Sequence, residues 1–541
     1  MKRSRWYKDC VFYQIWPRSF KDGNGDGMGD LYGVYEKLDY IKSLGCDGIW
    51  FSPLYPSPGV DCGYDISDYM DIAEEFGGMD AFKKVLDGAH ERGMKVIMDL
   101  VVNHTSDSHE WFQKSRQRID PYTDYYIWRP AREDGKLPNN WDSLFEGKAW
   151  QWDDVRKEYY LHLFAIRQPD LNMDNPAVRS EVVKILRFWL DLGVDGFRED
   201  VITFISKKEG LPDDHIFPAS KGILNYNFGP HLHEYLQQFR NEALNDYDCM
   251  TLAEAALSTP KKALEYITEG DNNDLDMFIQ FQCMGADCFI TDFFYTGFRL
   301  GKLKKAFSSW QNGLEGKAWN CLYLENHDHS RVVSRYGSEK YRVESAKMLC
   351  MAYMFQKGTP FVYQGQELGM TNWAPEKVEM YEDVQTLNQH PDWPEKKRLK
   401  LYYTASRDSA RTPVPWSSGK NAGFTDAEKP WFYINPNYTE INAQDEEINP
   451  DSVLNFYREA IKLRKSLTCV RSGVYRELNR LSPNIYEYTM TAEHETIHVF
   501  CSFTDKKVKI KIPEGRKALG NYENCSDILQ PYECRLYILE D

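Results

Sequence analysis

The sequence contains no apolar run long enough to cross a membrane and no excess of basic residues. Its 66 lysines and arginines face 82 aspartates and glutamates, which gives a formal net charge of −16 at pH 7. A chain with this balance does not attract the phosphates of nucleic acids or of an anionic membrane surface. The basic N-terminal residues are followed by no apolar segment, so we predict neither a signal peptide nor a membrane span. We therefore expect no nucleic-acid partner and no membrane partner.

Paired cysteine motifs are missing as well. The 12 cysteines are scattered, with no Cys-x-x-Cys pair and no histidine–cysteine cluster at the spacing of a zinc site. We predict free thiols in a reducing cytoplasm. No internal repeat or low-complexity tract is present, and 541 residues are too many for one compact unit. We expect a globular protein of several domains that is a monomer or a weak homo-oligomer.

The sequence does contain a regular alternation of apolar segments with helical ones. Predicted helices cover residues 34–44 and 79–92, among others. The predicted strands cover residues 11–19, 48–54, 95–102, 194–200, 250–254, 277–281, 320–325 and 359–363. Near-continuous apolar strands separated by helices indicate a parallel sheet that is covered on both faces. Eight such units predict an α/β fold, a closed (β/α)8 TIM barrel.

Two interruptions and a change of pattern divide the chain into domains. Residues 1–104 and 175–475 are assigned to the two parts of the barrel. Between them, residues 105–174 lack helical periodicity and are too many for a structureless loop, so we predict an inserted subdomain after the third strand. A second insertion, at about 370–450, follows the eighth strand. Short alternating runs in residues 476–541 predict a C-terminal antiparallel β-sandwich domain.

Polar residues follow several of the predicted strands at the point where each strand ends. Within 196–201, Arg198 and Asp200 lie on one face of a strand, and the guanidinium is expected to keep the carboxylate ionised and oriented as a nucleophile. Active sites of TIM barrels lie at the carboxyl ends of the strands. Aromatic residues make up 14% of the chain, which suits a sugar-binding cleft, although a large core would also use many of them.

Four segments in this order resemble the signature segments of glycoside hydrolase family 13, the α-amylase family. They are residues 99–104, residues 196–200, Glu254 and residues 326–328. Residues 168–172, 363–367, 407–413 and 435–438 are similar to the oligo-1,6-glucosidase and α-glucosidase branch of that family. The resemblance covers nearly the whole chain and implies a retaining, exo-acting enzyme that hydrolyses α-glucosidic bonds.

The resemblance also implies roles for individual residues. Asp200 would be the nucleophile, Glu254 the general acid/base, and Asp328 the third acid, which binds sugar hydroxyls. Retention requires the first two carboxyl groups to lie about 5 Å apart. Glu254 has no nearby cation in the sequence, so we expect a less polar setting that keeps it protonated. The residues implied in substrate binding are Asp61, Tyr64, His104, Phe145, Gln168, Arg198, Val201, His327 and Arg411.

One arginine is expected to close the pocket beside Asp61. The resemblance favours Arg411 for this position and leaves Arg407 as the lesser candidate. Tyr64 would stack beneath the sugar ring. A pocket that is blocked at this end implies exo action on short chains.

Residues 22–30 alternate oxygen-bearing side chains with glycines, as a Ca²⁺-binding loop does. Gly33 stands where an EF-hand requires glutamate, and the acidic side chains would repel the phosphates that a dinucleotide loop binds. The stretch resembles the calcium loop of α-glucosidases, with Mg²⁺ as the alternative ion and an empty turn as the alternative structure. The implied ligands of this structural ion are Asp22, Asn24, Asp26, Met28 (through its carbonyl) and Asp30.

Several positions depart from the family pattern and leave the preferred linkage open. Val201, directly after the predicted nucleophile, is associated with α-1,6 preference. Glu199 replaces a residue that is usually apolar, and it is expected to face the helix layer, where a buried charge needs a partner. Glu325 and His329 replace a usual Asn and Gln.

We predict an α-1,6-glucosidase acting on isomaltose-type oligosaccharides. The alternatives are action on sucrose, α-1,4-linked maltooligosaccharides or trehalose-6-phosphate, and sucrose isomerisation. A non-catalytic amylase-like subunit is disfavoured because all three carboxylates are present.

Overall fold

A parallel sheet of eight strands forms the centre of the protein. The computed structural model describes residues 3–145, 147–216, 220–270, 273–523 and 526–539. We number the eight strands β1 to β8 in chain order. They are β1 (Phe12–Ile15), β2 (Gly48–Phe51), β3 (Lys95–Leu100), β4 (Gly196–Glu199), β5 (Met250–Glu254), β6 (Met277–Ile279), β7 (Cys321–Leu322) and β8 (Thr359–Tyr363).

The strand order is β7-β8-β1-β2-β3-β4-β5-β6, and all neighbouring pairs are parallel. The end strands β6 and β7 approach one another, which brings the sheet close to a barrel. The predicted fold class is therefore confirmed. Six of the eight strands are shorter than their predicted segments, whereas β5 and β8 have the predicted bounds. The segment 320–325, for example, is a strand only over Cys321–Leu322.

Helices cover the outside of the barrel. The longer ones run over Leu31–Glu36, Leu38–Leu44, Gly78–Glu91, Glu110–Arg116, Pro176–Leu192, Leu232–Glu242, Pro260–Ile267, Leu300–Leu314, Arg342–Met354, Glu395–Ala405, Ala443–Ile448 and Val453–Ser466. The predicted helix 34–44 is two helices that meet at Lys37.

The helix Pro176–Leu192 delivers the chain into β4. The Asn175 side chain caps its first turn by accepting from the Ala177 N–H, and proline suits the first helical position. Gly193 ends the helix with a φ of 111°, a left-handed conformation that favours glycine. Three residues later β4 begins, so the start of the strand that precedes Asp200 is fixed by local signals.

The segment after β3 forms a small antiparallel sheet over Trp128–Arg129, Trp150–Asp153 and Glu158–Leu161. It also contains the helix Glu110–Arg116, so the expectation that 105–174 has no helical periodicity is wrong. The seam with the barrel is polar. The buried Lys207 ammonium lies 2.8 Å from Asp170 Oδ2 and donates to Asn103 Oδ1 at 2.9 Å.

The C-terminal part is a five-stranded antiparallel sheet in the spatial order Val474–Leu478, Ile485–Ala492, Glu495–Ser502, Cys534–Leu539 and Gly515–Gly520. A two-stranded sheet, Val508–Lys509 with Ile528–Leu529, packs on it through a small apolar cluster that includes Phe500 and Tyr537. In the described ranges, every cysteine is a free thiol. No helix in these ranges is long and apolar enough to cross a membrane.

Candidate active site

A cavity of about 270 Å³ opens at the carboxyl ends of the barrel strands, and the three predicted acids line it together. Asp200 follows β4, Glu254 ends β5, and Asp328 follows β7. Asp61, Tyr64, His104, Phe145 and Val201, which were expected to bind substrate, also line this cavity. Strand ends that are far apart in the sequence meet here because parallel strands place all their carboxyl ends on one rim.

Arg198 is the centre of the charged network. Its Nη1 donates to Asp200 Oδ1 at 2.6 Å and to Asp99 Oδ2 at 3.1 Å, while its Nη2 donates to Glu254 Oε2 at 2.5 Å. Asp99 and Arg198 are register partners on β3 and β4. One guanidinium therefore holds Asp200 and Glu254 in a fixed relation to each other. The less polar setting expected for Glu254 is not found, because Arg198 of the adjacent strand places a cation beside it.

Val201 adds a backbone contact to the same pair. Its N–H donates to Glu254 Oε2 at 3.0 Å. The residue has a φ of 35° and a ψ of 35°, a left-handed conformation that is strained for a β-branched side chain. Strain of this kind persists only where the surrounding structure imposes it, and it is concentrated at functional sites. Here it turns the Val201 N–H towards the predicted acid/base and the Val201 side chain into the cavity.

The titration of Asp200 differs from the expectation. Burial raises the pKa of Asp200 well above its usual range, and the charges of Glu254 and Asp99 add to that, while Arg198 opposes them. Arg198 therefore does not bring the pKa of Asp200 below its usual range, contrary to the prediction. Asp200 and Glu254 accept from the same guanidinium, and Asp99 accepts from it as well.

Asp328 has a different environment. Burial raises its pKa, but His327, Arg407 and Arg411 outweigh that effect and hold the pKa well below its usual range. Burial also lowers the pKa of His104 to about 4 and that of His327 well below its usual range. Neutral imidazoles can accept from or donate to sugar hydroxyls, and an ionised Asp328 accepts from them.

Aromatic and amide side chains fix these histidines. Tyr64 stacks on His327 with ring centroids 5.4 Å apart, and its hydroxyl lies 2.6 Å from His327 Nε2. Gln168 Nε2 lies 3.2 Å from His104 Nε2 and donates to Asp61 Oδ2 at 3.2 Å. Because His104 Nε2 also lies 3.2 Å from the Tyr64 carbonyl oxygen, these five residues form one connected polar network.

The arginine beside Asp61 is Arg407, and the predicted order of the two candidates is reversed. Arg407 Nη2 donates to Asp61 Oδ1 at 3.2 Å and to Asp383, and the guanidinium lies 5.0 Å from the centre of the Phe145 ring. Arg411 is buried behind it, 4.6 Å from the centre of the Trp16 ring, and donates to the His327 carbonyl. Arg411 Nη2 lies 3.7 Å from Asp328 Oδ1, and its charge lowers the pKa of that carboxyl group.

Two glutamates that depart from the family pattern lie away from the cavity. Glu325 is buried and accepts from Arg331 at 3.2 Å and from the Val332 N–H at 2.7 Å. Glu199 is buried on the outer face of β4. Burial raises its pKa to about 8 although Arg240 opposes this, and its Oε2 has no hydrogen-bond partner among the described residues. A carboxyl group with this pKa is mostly protonated at neutral pH. Glu199 therefore avoids a buried negative charge by keeping a proton, and it does not need an ion pair.

The predicted calcium loop is curled around its own backbone. Asp22 accepts from the N–H groups of Asn24, Gly25 and Gly27, and Asp30 accepts from those of Gly23, Asn24 and Gly33. Within the described part of the chain, no three histidine, cysteine or acidic side chains converge as a metal cage. Asp22 and Asp30 are nonetheless both buried, and burial raises the pKa of Asp30, with a smaller contribution from the charge of Asp22. Two acids held together among hard oxygen donors fit Ca²⁺.

Sequence reasoning missed several residues of the site. Asp383 holds Arg407 in place, Phe164 and Asp292 line the cavity, and Lys207 ties the inserted subdomain to the barrel. Asp292 belongs to a short strand of a hairpin, Thr291–Tyr295, and Asp383 caps a four-residue helix, Val384–Leu387, and neither element was among those predicted. The clearest signal in the sequence was the pair Arg407 and Arg411. This pair showed that an arginine from this segment reaches the pocket, but it did not show which of the two contacts Asp61.

The fold and this group of strand-end acids define the class of protein. The model of the α-amylase catalytic domain matches residues 14–473. The chain belongs to the α-amylase family of glycoside hydrolases, and the expected resemblance is confirmed.

Among its relatives, an oligo-1,6-glucosidase from Parageobacillus thermoglucosidasius is 46% identical over 98% of both chains. A trehalose-6-phosphate hydrolase from Bacillus subtilis is 41% identical over 99% of both chains. The crystal structure of trehalose-6-phosphate hydrolase from Bacillus licheniformis superposes with a TM-score of 0.94 at 40% identity, covering 99% of this chain and 100% of the other. The trehalulose synthase from Pseudomonas mesoacidophila superposes equally well, at 37% identity, 99% of this chain and 100% of the other.

Proposed function

We propose that the protein is a retaining, exo-acting α-glucosidase that hydrolyses α-1,6 bonds of isomaltose-type oligosaccharides. The observation that carries the mechanism is the bridge of Arg198 between Asp200 and Glu254. In the first step Asp200 attacks the anomeric carbon while Glu254 gives its proton to the leaving glycosidic oxygen. In the second step Glu254 removes a proton from water, and the water releases glucose from Asp200 with its configuration retained.

The shape of the pocket supports exo action. The Asp61–Arg407 pair, with Phe145 against the guanidinium, forms a wall on one side of the cavity. On the same side Gln168 Nε2 donates to Asp61 and lies 3.2 Å from His104 Nε2, which ties these side chains together along the wall. A wall of this kind admits the non-reducing glucose and leaves the rest of the chain on the open side.

The charge of the pocket supports a neutral substrate. Five carboxyl side chains of the described residues line it, whereas Arg407 is the one arginine and no described lysine reaches it. The lining acids are Asp61, Asp200, Glu254, Asp292 and Asp328. A substrate phosphate would meet net negative charge here, and binding of a phosphate depends on cations. The relatives named oligo-1,6-glucosidase and the presence of Val201 support the α-1,6 linkage.

A panel of disaccharides tests this function. We expect glucose release with the highest kcat/KM from isomaltose, lower values from maltose and sucrose, and the lowest from trehalose-6-phosphate. Proton NMR during the first turnovers should show α-glucose before mutarotation. Replacing Val201 by Thr is expected to shift the ratio of isomaltose to maltose hydrolysis towards maltose. A wild-type preference for maltose or for the phosphorylated sugar would contradict the proposed linkage.

We also propose that the loop of residues 22–30 binds a structural Ca²⁺, with Mg²⁺ as the alternative. Oxygen atoms of Asp22, Asn24, Asp26 and Asp30 and the Met28 carbonyl would hold it. The ion would offset the repulsion between Asp22 and Asp30 and fix the loop.

Calcium is therefore expected to stabilise the protein after treatment with EDTA. A ligand at a concentration of a hundred times its Kd adds about 2.7 kcal/mol to the free energy of unfolding. This stabilisation appears as a rise in Tm that saturates with calcium concentration. Asp26→Ala should abolish the rise, since this exposed ligand is expected to leave the apo fold unchanged. Asp426→Ala, which removes an exposed acid directly after Thr425, whose hydroxyl donates to Asp22, should keep it. A Tm that is independent of calcium in the wild type would refute the site.

A cytoplasmic location completes the proposal. The cysteines of the described ranges are unpaired, and most of them are buried. Unpaired thiols in this number suit a reducing compartment.

A further inference from the structure

A histidine–aspartate pair lies in the pocket wall and takes no part in the chemistry described above. His329 follows Asp328 directly, and its Nδ1 lies 2.6 Å from Asp292 Oδ2. Both residues line the cavity. The His329 ring also packs against Phe281, with ring centroids 5.9 Å apart. Asp292 belongs to the strand Thr291–Tyr295, which forms a hairpin between β6 and β7, so the pair ties this hairpin to the rim of the barrel.

Asp292 and Arg335 fix the orientation of the His329 imidazole. Arg335 donates to both oxygens of Asp287 at 2.6 and 2.9 Å, and to Asp292 Oδ1 at 3.3 Å. Burial raises the pKa of Asp292, but Arg335 and His329 outweigh it and lower the pKa to about 2. Asp292 is therefore an anion that accepts the Nδ1–H of His329. That bond leaves Nε2 as the free end of the ring.

The other ring nitrogen, Nε2, has no partner. His329 is 8% exposed, and its Nε2 is a buried atom with no hydrogen-bond partner among the residues that the structure describes. A buried polar atom without a partner is costly, so Nε2 is available to a ligand atom that enters the cavity. Asp292 and His329 line the cavity, but none of the hydrogen bonds that join Asp61, Gln168, His104 and Arg407 involves them, so the pair is separate from the wall assigned to the non-reducing glucose.

We propose that His329 Nε2 recognises a hydroxyl group of the departing sugar, with Asp292 as its positioning residue. This inference rests on the proposed α-glucosidase function and specifies its aglycone: a hydroxylated, uncharged sugar. A hydroxyl fits either charge state of the ring, because it donates to the neutral imidazole and accepts from the charged one. An apolar aglycone would leave Nε2 unsatisfied.

The test compares two substrates that share the glucosyl group but not the aglycone. Isomaltose presents sugar hydroxyls to His329, whereas the fluoride of α-glucosyl fluoride has no atom that reaches it. We expect His329→Ala to lower kcat/KM for isomaltose by about tenfold, the loss of one hydrogen bond, and to leave kcat/KM for the fluoride unchanged. His329→Gln, which keeps a polar group near Nε2, should retain most of the isomaltose activity.

Two controls make the result decisive. His494→Ala removes a histidine whose side chain is 82% exposed and should change neither substrate. Thermal unfolding of each variant shows whether the fold is intact, and His329→Leu, which keeps most of the side-chain volume without a polar atom, serves for the comparison if the alanine variant does not fold. An equal loss on both substrates would mean a structural role and would overturn the inference, as would no loss on either.

The His329 test and the test of the α-1,6 linkage can fail independently of each other. If the wild type prefers another disaccharide, the α-1,6 assignment fails. The same comparison, with that disaccharide in place of isomaltose, still decides whether His329 contacts the aglycone.

Discussion

Asp200→Ala is expected to lower kcat for isomaltose by at least about 10⁴-fold, the scale seen when a catalytic nucleophile is removed. The variant loses the atom that attacks the anomeric carbon, while Asp328, His104 and His327 still bind the glucose. KM should therefore change much less than kcat. The measurement is glucose release under steady-state conditions, with active protein quantified by binding of a glucose analogue.

Azide provides a check on the role of Asp200 that loss of activity alone does not give. A small anion can enter the space left by the Asp200 side chain and attack the sugar from the same face. Rescue of Asp200→Ala should therefore give β-glucosyl azide, identified by the anomeric coupling in proton NMR. A product with the α configuration, or a variant with full activity, would show that Asp200 is not the nucleophile.

Glu199→Gln is the matched control for this variant. Glu199 is the neighbouring buried carboxyl, and it points to the outer side of β4, away from the cavity. Burial raises its pKa to about 8, so the group is mostly uncharged at pH 7 and glutamine is close to it in shape and charge. We expect kcat near the wild-type value. Two adjacent buried acids would then differ in kcat by four orders of magnitude because only one of them faces the sugar.

The parts of the site that could be predicted are those that local sequence determines. Asp200, Glu254 and Asp328 each stand at or just after an apolar strand, and parallel strands bring such positions to one rim. The start of β4 is encoded by Asn175, Pro176 and Gly193 around the preceding helix. Strand periodicity therefore gave both the barrel and the position of its acids.

The parts that could not be predicted depend on distances between remote segments. Arg407 and Arg411 are four residues apart, and which of them faces Asp61 depends on Asp383, which lies in an irregular insertion. Arg198 was expected to lower the pKa of Asp200, but burial outweighs it, and burial is a property of the whole fold. The strained φ of Val201 likewise follows from its packing between β4 and Glu254, since valine itself disfavours that conformation.

Glu254→Ala should lower kcat for isomaltose by about 10²- to 10⁴-fold, the contribution of a general acid. The loss in kcat/KM, which reports the first step, should be much smaller for α-glucosyl fluoride than for isomaltose, because fluoride leaves as an anion without needing a proton. Glu254 is bonded to Arg198 and to the Val201 N–H, so Glu254→Gln is the variant that keeps these contacts nearest to native. Equal losses on the two substrates would contradict an acid role.

Azide also tests the role of Glu254, through the configuration of the product. The expected anomer is the opposite of that expected for Asp200→Ala. With Glu254→Ala the glucosyl–Asp200 intermediate still forms, and azide attacks it from the face that water would use. The product should be α-glucosyl azide. The two variants, with the same nucleophile and the same sugar, must give different anomers if Asp200 and Glu254 lie on opposite faces of the glucose. The same anomer from both would rule out this arrangement, whatever the rates.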